Sequence, residues 1–575
     1  MCGILGGYNY RDSYSFKDLE FLLKRGPDFI GTWYTDKIFM AVSRLSIIDP
    51  GFRGNQPLEN KRYVIAYNGE VYNFMDIKKD LINRGIIFKT SSDTEVVLEA
   101  VTEYGLNAVK RFRGFWAFVL YDKKKKKIIL CRDHFGVKPL YYYYEKNKLC
   151  FSSMIKTIIQ SCEIDKVLNY SALSEYVKYQ LTFDNKTFIR NIFKVRPGEF
   201  VIYDIRKNRI KFQRYFDYNE LLKSGHEPSL LKMRKLLYKV VNESTISDVP
   251  ITTFVSGGID SSTITAIVKP EVAYHCNFSF QDCNETKFAK SLVNYIKSTR
   301  LMTLNADEKF SLISRLNDIL QDFDELSIGS VILPLNDILS LVSKRYRVIL
   351  NGIGGDELFL GYMRYPMAMG FCPDPKYLPT FRKIECSLSI VERFEMLHTK
   401  GDARFYNFYD DKTVFSFYDE FNRYNTDDLR KMQIFDMRNF LPGLLNIEDK
   451  IAARHSIESR PSLLNQEFVR NVFLIPAKKL YRRNNLKHYL KKMVNDLLPQ
   501  DILGRKDKMG FTTPVGTFIN NSVNEIREQI YYSKFRHLYN LNKINFTVEN
   551  NYSREVFGLL MLDLWLNNYI STQKA

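Results

Sequence analysis

The sequence predicts two α/β units in tandem, and three observations carry that reading. Residues 2–210 are dense in short apolar or alternating runs closed by turn residues, among them FMAVSRLSII, YVIAYNGEVY, RGFWAFVLYD, KIILCRD and EFVIYD, as strands of a packed sheet require. The pattern changes at ITTFV, an apolar strand that runs into SGGIDSS and then into helix-like STITAIV. Strand, glycine turn and helix open an α/β unit with a parallel sheet. A second apolar run, Val348–Asn351, ends the same way, in Gly352, Gly354, Gly355 and two acids.

Taken in order, MDIKKDLINRG and TEVVLEAVTEYG interrupt the strands of the first unit with helical periodicity. The dense basic run Lys123–Lys127 lies between two strand-like segments and reads as a solvated hairpin turn. VRPGEFVIYD closes the first unit, and RYFDYNELLKSGHEP reads as a linker. LLKMRKLLYKVV then opens the second unit as a helix, and the C-terminal third is largely helical in pattern. The expected domains are therefore 2–210 and 228–575.

Composition narrows the function. At 575 residues the chain is too long for one core, and 26% charged residues is ordinary for a globular protein. No apolar run approaches the ~20 residues of a membrane helix, and no signal peptide is visible, so a cytoplasmic protein without membrane contact is expected. The net charge of +19 raises nucleic-acid binding, but the basic residues are dispersed and no recognition module is present. The eight cysteines contain no CxxC pair, which points to core thiols rather than to zinc or redox motifs.

Two places carry chemistry. Cys2 follows Met1 directly. Removal of Met1 would give one residue both a thiol and a free α-amino group, nucleophile and base together. The alternative is a small buried hydrophobe. In Ser256-Gly257-Gly258-Ile259-Asp260-Ser261-Ser262, the paired glycines let backbone N–H groups approach an anion, and the following helix aims its positive end at the same point. Asp260 would repel a bare phosphate, so it implies a cation such as Mg²⁺. Asp356 follows the second glycine cluster and suits the same ion, or else caps a helix.

At these residues the chain resembles a known family. SGGIDSS is similar to the loop of the ATP pyrophosphatases, and with Cys2-Gly3-Ile4 the whole resembles glutamine-hydrolysing asparagine synthetases. The same resemblance runs through RGPD (Arg25–Asp28), SRLSIID, QPL, YNGEVYN, SSDTEVV, CRDHFGVKPLYYY, SDVP, GGDELFLGY, HSIESR and KMGFTTP. It implies an N-terminal-nucleophile glutaminase, a four-layer αββα sandwich, followed by a doubly wound parallel-sheet ATP pyrophosphatase domain with a helical C-terminal part. Cys2 would attack the side-chain amide of glutamine, with its own α-amino group carrying the proton. Asn68 and the Gly69 N–H would hold the oxyanion, Arg44 the α-carboxylate, and Glu70, Asp93 and Asn68 would complete the glutamine site. The ammonia would pass through a tunnel to an acyl-adenylate formed from ATP. There Val255, Ser256, Gly257, Gly258, Asp260, Ser261, Asn351 and Gly352 would bind ATP, Asp260 and Asp356 would hold Mg²⁺, and Lys508 would stabilise the reacting phosphate. The resemblance also allows a homodimer.

Three departures stand out. Lys24 replaces the usual histidine before RGPD. Ile353 stands where the family carries an acid linked to the aspartyl-adenylate, and Asn465 where it carries aspartate. Aspartate is the expected acceptor. The other readings are another carboxylate such as a sugar uronic acid, or a glutaminase with an inactive, regulatory synthetase half. A β-lactam-forming synthetase is disfavoured by Cys2, since such proteins lack the terminal nucleophile.

Overall fold

A computed structural model describes the chain except residues 10–15, 224, 278–283, 306–310, 328, 330, 373, 385–388, 483–484, 506–512, 549–553 and 571–575. The N-terminal region builds two six-stranded sheets. Its strands are β1 (Gly3–Tyr8), β2 (Phe29–Tyr34), β3 (Ile38–Arg44), β4 (Leu58–Glu59), β5 (Tyr63–Val71), β6 (Gly114–Asp122), β7 (Lys127–Arg132), β8 (Tyr141–Glu145), β9 (Lys148–Ser152), β10 (Ile192–Lys194), β11 (Glu199–Asp204) and β12 (Arg209–Arg214). The first sheet runs β10-β8-β9-β1-β3-β2 and the second β12-β11-β7-β6-β5-β4.

Strand side chains alternate between faces, and here both faces are buried. Ile4, Val42, Val64, Ala66, Ala117 and Val119 meet between the sheets. Their neighbours point outward. Leu5, Phe39 and Ala41 pack under Leu19 and Leu22 of α1 (Phe16–Leu23) and Met154, which precedes α4 (Ile155–Cys162). Ile65, Tyr67, Phe118 and Leu120 pack with Ile77 and Leu81 of α2 (Phe74–Asn83) and Val97 and Val101 of α3 (Asp93–Tyr104). The result is the expected αββα sandwich. The Lys123–Lys127 turn also stands as read: the Asp122 carboxylate accepts from the Lys124 and Lys125 N–H groups, and Lys126 takes a positive φ.

The segment read as a linker is packed down. β12 continues to Arg214, past the expected boundary at 210, and Tyr215, Phe216 and Tyr218 are buried. The cysteine reading needs one correction, since Cys150 on β9 and Cys162 at the end of α4 form a disulfide. They meet through the fold rather than through spacing. Cys131 and Cys276 are buried thiols as expected.

After α5 (Tyr170–Tyr179) and α6 (Leu230–Glu243), the third sheet is parallel throughout. It comprises β13 (Ile251–Phe254), β14 (Val272–Asn277), β15 (Arg300–Asn305), β16 (Val348–Asn351) and β17 (Glu458–Pro461), in the order β15-β14-β13-β16-β17. Its helices lie on both faces. Val240 of α6, Ile264 of α7 (Ile259–Val268) and Leu292 of α8 (Thr286–Ile296) join one core with Ala273 and Leu350, while Ile338, Ile447 and Ile451 join the other with Val272 and Ile349. Winding reverses between β13 and β16. An open α/β sheet binds ligands in the crevice at such a point, beyond the carboxyl ends of the strands, and the two glycine clusters leave those two strands.

The sandwich and the parallel sheet share a charged, buried contact. Arg25 of RGPD donates to Asp449 at 2.9 Å, with both side chains 3% exposed, and Lys138 lies 3.7 Å from the same carboxylate. Charges so placed are tolerated only when paired. Asp28 reaches Arg347, and Lys24 reaches Asp322 at 2.9 Å.

Candidate active site

Cys2 stands at the head of β1, and its glycine neighbour follows from packing: a Cβ on Gly3 would lie 2.6 Å from Ser43 Oγ. The Cys2 carbonyl accepts from Arg25 Nε at 3.3 Å. Burial pushes the thiol up, while the terminal amine, the Leu45 N–H and the Arg44 guanidinium pull the other way. Met1 is 1% exposed. Burial drives its α-amino group down to about 5, against the attraction of Glu458.

Alternation along β5 puts Asn68 on the side of Val64 and Ala66, between the sheets, where Cys2 also packs. Asn68 is 0% exposed, and neither its amide nitrogen nor its oxygen has a hydrogen-bond partner. Buried amides are almost always satisfied, which makes this one an exception. The short β4 leaves the edge of β5 open. There the Tyr67 N–H donates to Gln56 Oε1 at 2.8 Å and the Val71 N–H to Asp93 at 3.1 Å. The Gly69 N–H points to the same open edge between them. Gly69 must be glycine, because a Cβ there would meet the Trp116 backbone at 2.7 Å. Asn68→Ala is expected to cut glutamate release from glutamine by about 10²–10³-fold, and a loss below about threefold in that assay would remove Asn68 from the role.

The acids gather as expected. Asp93, in the first turn of α3 after the Ser92 cap, accepts from Tyr67 OH at 2.9 Å, and burial raises it to about 6. Glu70 is raised well above the carboxylate range, by burial first and then by Glu458 and Asp93. Arg44 is arranged differently from expectation. Its Nη1 donates to Gly51 O and Asn55 Oδ1, and its Nη2 to Ile48 O and Asp49 O, at 2.5–3.0 Å. Both terminal nitrogens thus fix the loop 48–55.

At the crevice of the third sheet, Val255 is tied to β14, donating to Tyr274 O at 2.8 Å and accepting from His275 Nδ1 at 2.7 Å. Ser261 Oγ meets the Ser256 N–H at 3.0 Å and Ser256 Oγ at 2.9 Å, folding the loop over the start of α7. Gly257 takes φ +69 and Gly258 is the N-cap. The second cluster nests on the first: a Cβ on Gly352 would lie 2.6 Å from Asp260 Cβ and 2.9 Å from the Ser261 N. Asn351 donates to Ser459 Oγ at 2.6 Å and receives the Ile353 N–H at 3.0 Å. Asp260 and Asp356 converge as expected, but on Lys487, whose Nζ bonds Asp260 and lies 2.6 Å from Asp356. Two carboxylates aimed at one point fit a Mg²⁺ ion shared with phosphate oxygens, which asks for one or two protein carboxylates rather than a full cage.

The chain matches the family described as Glutamine amidotransferase domain over residues 1–216 and that described as Asparagine synthase over residues 232–567. It is 30% identical over 574 residues to glutamine-hydrolyzing asparagine synthetase 1 of Bacillus subtilis (strain 168), covering 91% of this chain and 89% of that protein. The chain belongs to the asparagine synthase family. It is also similar to asparagine synthetase 3 of the same organism, 27% identical over 538 residues, 88% of this chain and 86% of that one. The amidase chry2 of Gibberella zeae (strain ATCC MYA-4620 / CBS 123657 / FGSC 9075 / NRRL 31084 / PH-1) shares 33% over 266 residues, 44% of this chain and 38% of its own. This asparagine synthase family member is accordingly a glutamine-dependent amidotransferase.

Several residues of this family member escaped sequence reasoning. Lys487 is one lysine in NNLKHYLKK, and nothing in its spacing marks it. Glu448 accepts from Ser459 Oγ at 2.7 Å and from the Asn351 amide at 3.3 Å, and burial raises it to about 7. Asn465 proves to be the N-cap of the helix Gln466–Phe473, accepting from the Glu467 and Phe468 N–H groups. Asparagine caps as well as aspartate, so the cap itself does not require the aspartate. Ile353 remains an apolar side chain packed on the core. Lys508 lies outside the described residues.

Proposed function

We propose that this chain makes asparagine from aspartate, using glutamine as nitrogen donor and cleaving ATP to AMP and pyrophosphate, with residues 2–210 as glutaminase and 228–575 as synthetase. The unpartnered buried Asn68 amide beside Cys2 carries the reading, because an oxyanion site has no use without the nucleophile.

Once Met1 is removed, the Cys2 amine accepts the thiol proton and the sulfur adds to the glutamine amide carbon. Asn68 and the Gly69 N–H hold the oxyanion while Glu70 and Asp93 receive the α-ammonium. Arg44 would act on the α-carboxylate through the loop 48–55, which its terminal nitrogens fix. Collapse releases ammonia, and water frees glutamate. In the second site, Ser256–Ser261 cradle the β- and γ-phosphates, Val255, Asn351 and Gly352 border the adenosine, and Lys508 steadies the reacting phosphate. Asp260 and Asp356 would hold Mg²⁺, which when bound neutralises charge on the departing pyrophosphate. The acceptor carboxylate displaces pyrophosphate from the α-phosphorus, and ammonia then displaces AMP from the acyl carbon.

A second reading takes a different carboxylate, such as a sugar uronate, and Ile353 favours it, because isoleucine can neither bind an ammonium nor carry a proton. The deciding experiment follows acceptor-dependent pyrophosphate release with ATP, Mg²⁺ and glutamine over a panel of acids. Release with aspartate is expected. Release with a uronate alone supports the second reading, and glutamine hydrolysis without any acceptor-dependent release points to an inactive synthetase half.

A further inference from the structure

β17 is a strand of the parallel sheet, yet its side chains serve both sites. Ser459 bonds Asn351 and Glu448 beside the nucleotide crevice, while Glu458 and Arg460, its neighbours on either side, face the other way. Arg460 is 0% exposed. Its Nε donates to Glu458 Oε1 at 2.8 Å, and its Nη1 to Ser244 O at 2.9 Å and Ile246 O at 2.6 Å, at the carboxyl end of α6. The remaining nitrogen, Nη2, stands 3.6 Å from Glu70 Oε1 and has no hydrogen-bond partner. A guanidinium fixed on two sides thus aims its one unsatisfied donor across the interface at a carboxylate of the glutamine pocket.

We propose that Arg460 is a positioning residue for glutamine supplied by the synthetase half, closing Nη2 onto Glu70 as the substrate ammonium arrives and fixing that carboxylate in its ionised, aimed form. The inference rests on the glutaminase reading of the N-terminal site. Its chemistry is charge bookkeeping. Glu70, Asp93 and Glu458 crowd one buried space, and burial first, then repulsion from Glu458 and Asp93, pushes Glu70 well above the carboxylate range. The groups facing Glu70 are Glu458, Asp93, Tyr67 and Tyr72 on the acidic side, and Arg460 and Lys138 on the basic side. Substrate ammonium adds the missing cation, and Arg460 holds the carboxylate it pairs with.

The test uses the full chain with Arg460→Lys and, as a milder change that keeps the guanidinium, Glu458→Gln. Glutamate release is followed against glutamine concentration and pH. For Arg460→Lys the KM for glutamine should rise about tenfold or more with a smaller change in kcat. The acid limb of kcat/KM should move to higher pH, since removing the paired guanidinium raises Glu70 further. Glu458→Gln removes a repelling carboxylate and should move that limb to lower pH. Unchanged KM and acid limb in both variants, or equal losses of glutamine-driven and ammonia-driven turnover, would overturn the proposal. If the unaltered chain released no glutamate, the glutaminase reading itself would fail, so the two failures are distinct.

Discussion

Cys2→Ala is expected to abolish turnover driven by glutamine and to leave turnover driven by added ammonia. Cys2 is the proposed nucleophile, and losing a covalent nucleophile commonly costs ~10⁴-fold or more. The synthetase crevice contains no part of Cys2. The comparison is made on one preparation, with pyrophosphate release measured at saturating glutamine and then at saturating ammonium. Persisting use of glutamine would show that another group opens the amide. Equal loss with both donors would show that Cys2 supports the fold rather than the chemistry.

Gly352→Ala gives the mirror result. A methyl there would sit within 2.6 Å of Asp260 Cβ and within 2.9 Å of the Ser261 backbone nitrogen, separations that real Cβ contacts do not reach. Because the neighbours are backbone and the root of a side chain, they cannot swing aside, and the two glycine loops must part. Displacing a catalytic constellation by about 1 Å can cost ~10²-fold. Synthesis should therefore fall at least that far with either nitrogen donor, whereas glutamate release persists. Full synthetic activity in Gly352→Ala would mean that the close nesting of the loops is dispensable.

The sequence made the sandwich and the parallel sheet legible because local signals and global fold agree there. The alternation in YVIAYNGEV places Ala66 between the sheets and Tyr67 outside them, and the glycines of SGGIDSS end an apolar strand at the switch point. Asn68, Gly69, Asp93, Asp260 and Gly352 stand within such motifs, so their surroundings were legible for the same reason. What stayed hidden was everything that depends on two distant segments meeting. Lys487 is separated by 227 residues from the Asp260 it joins, and the Arg25–Asp449 pair spans 424. Arg44 showed the opposite difficulty. Its motif suggested a substrate contact, while the carbonyls around it, invisible in a string of letters, take up both of its terminal nitrogens.

The Arg25, Lys138 and Asp449 cluster has a consequence for dissecting the protein. A fragment cut at the linker would keep two cations whose shared anion lies on the discarded piece, and would lose Arg460 as well. Water would enter a space built without it, and the orphaned cations would favour rearrangement of the strand heads around Cys2. Severed halves mixed in a tube are then no substitute for the intact chain. What behaves as a module in the linear order of residues is, at the seam, half of a single electrostatic object.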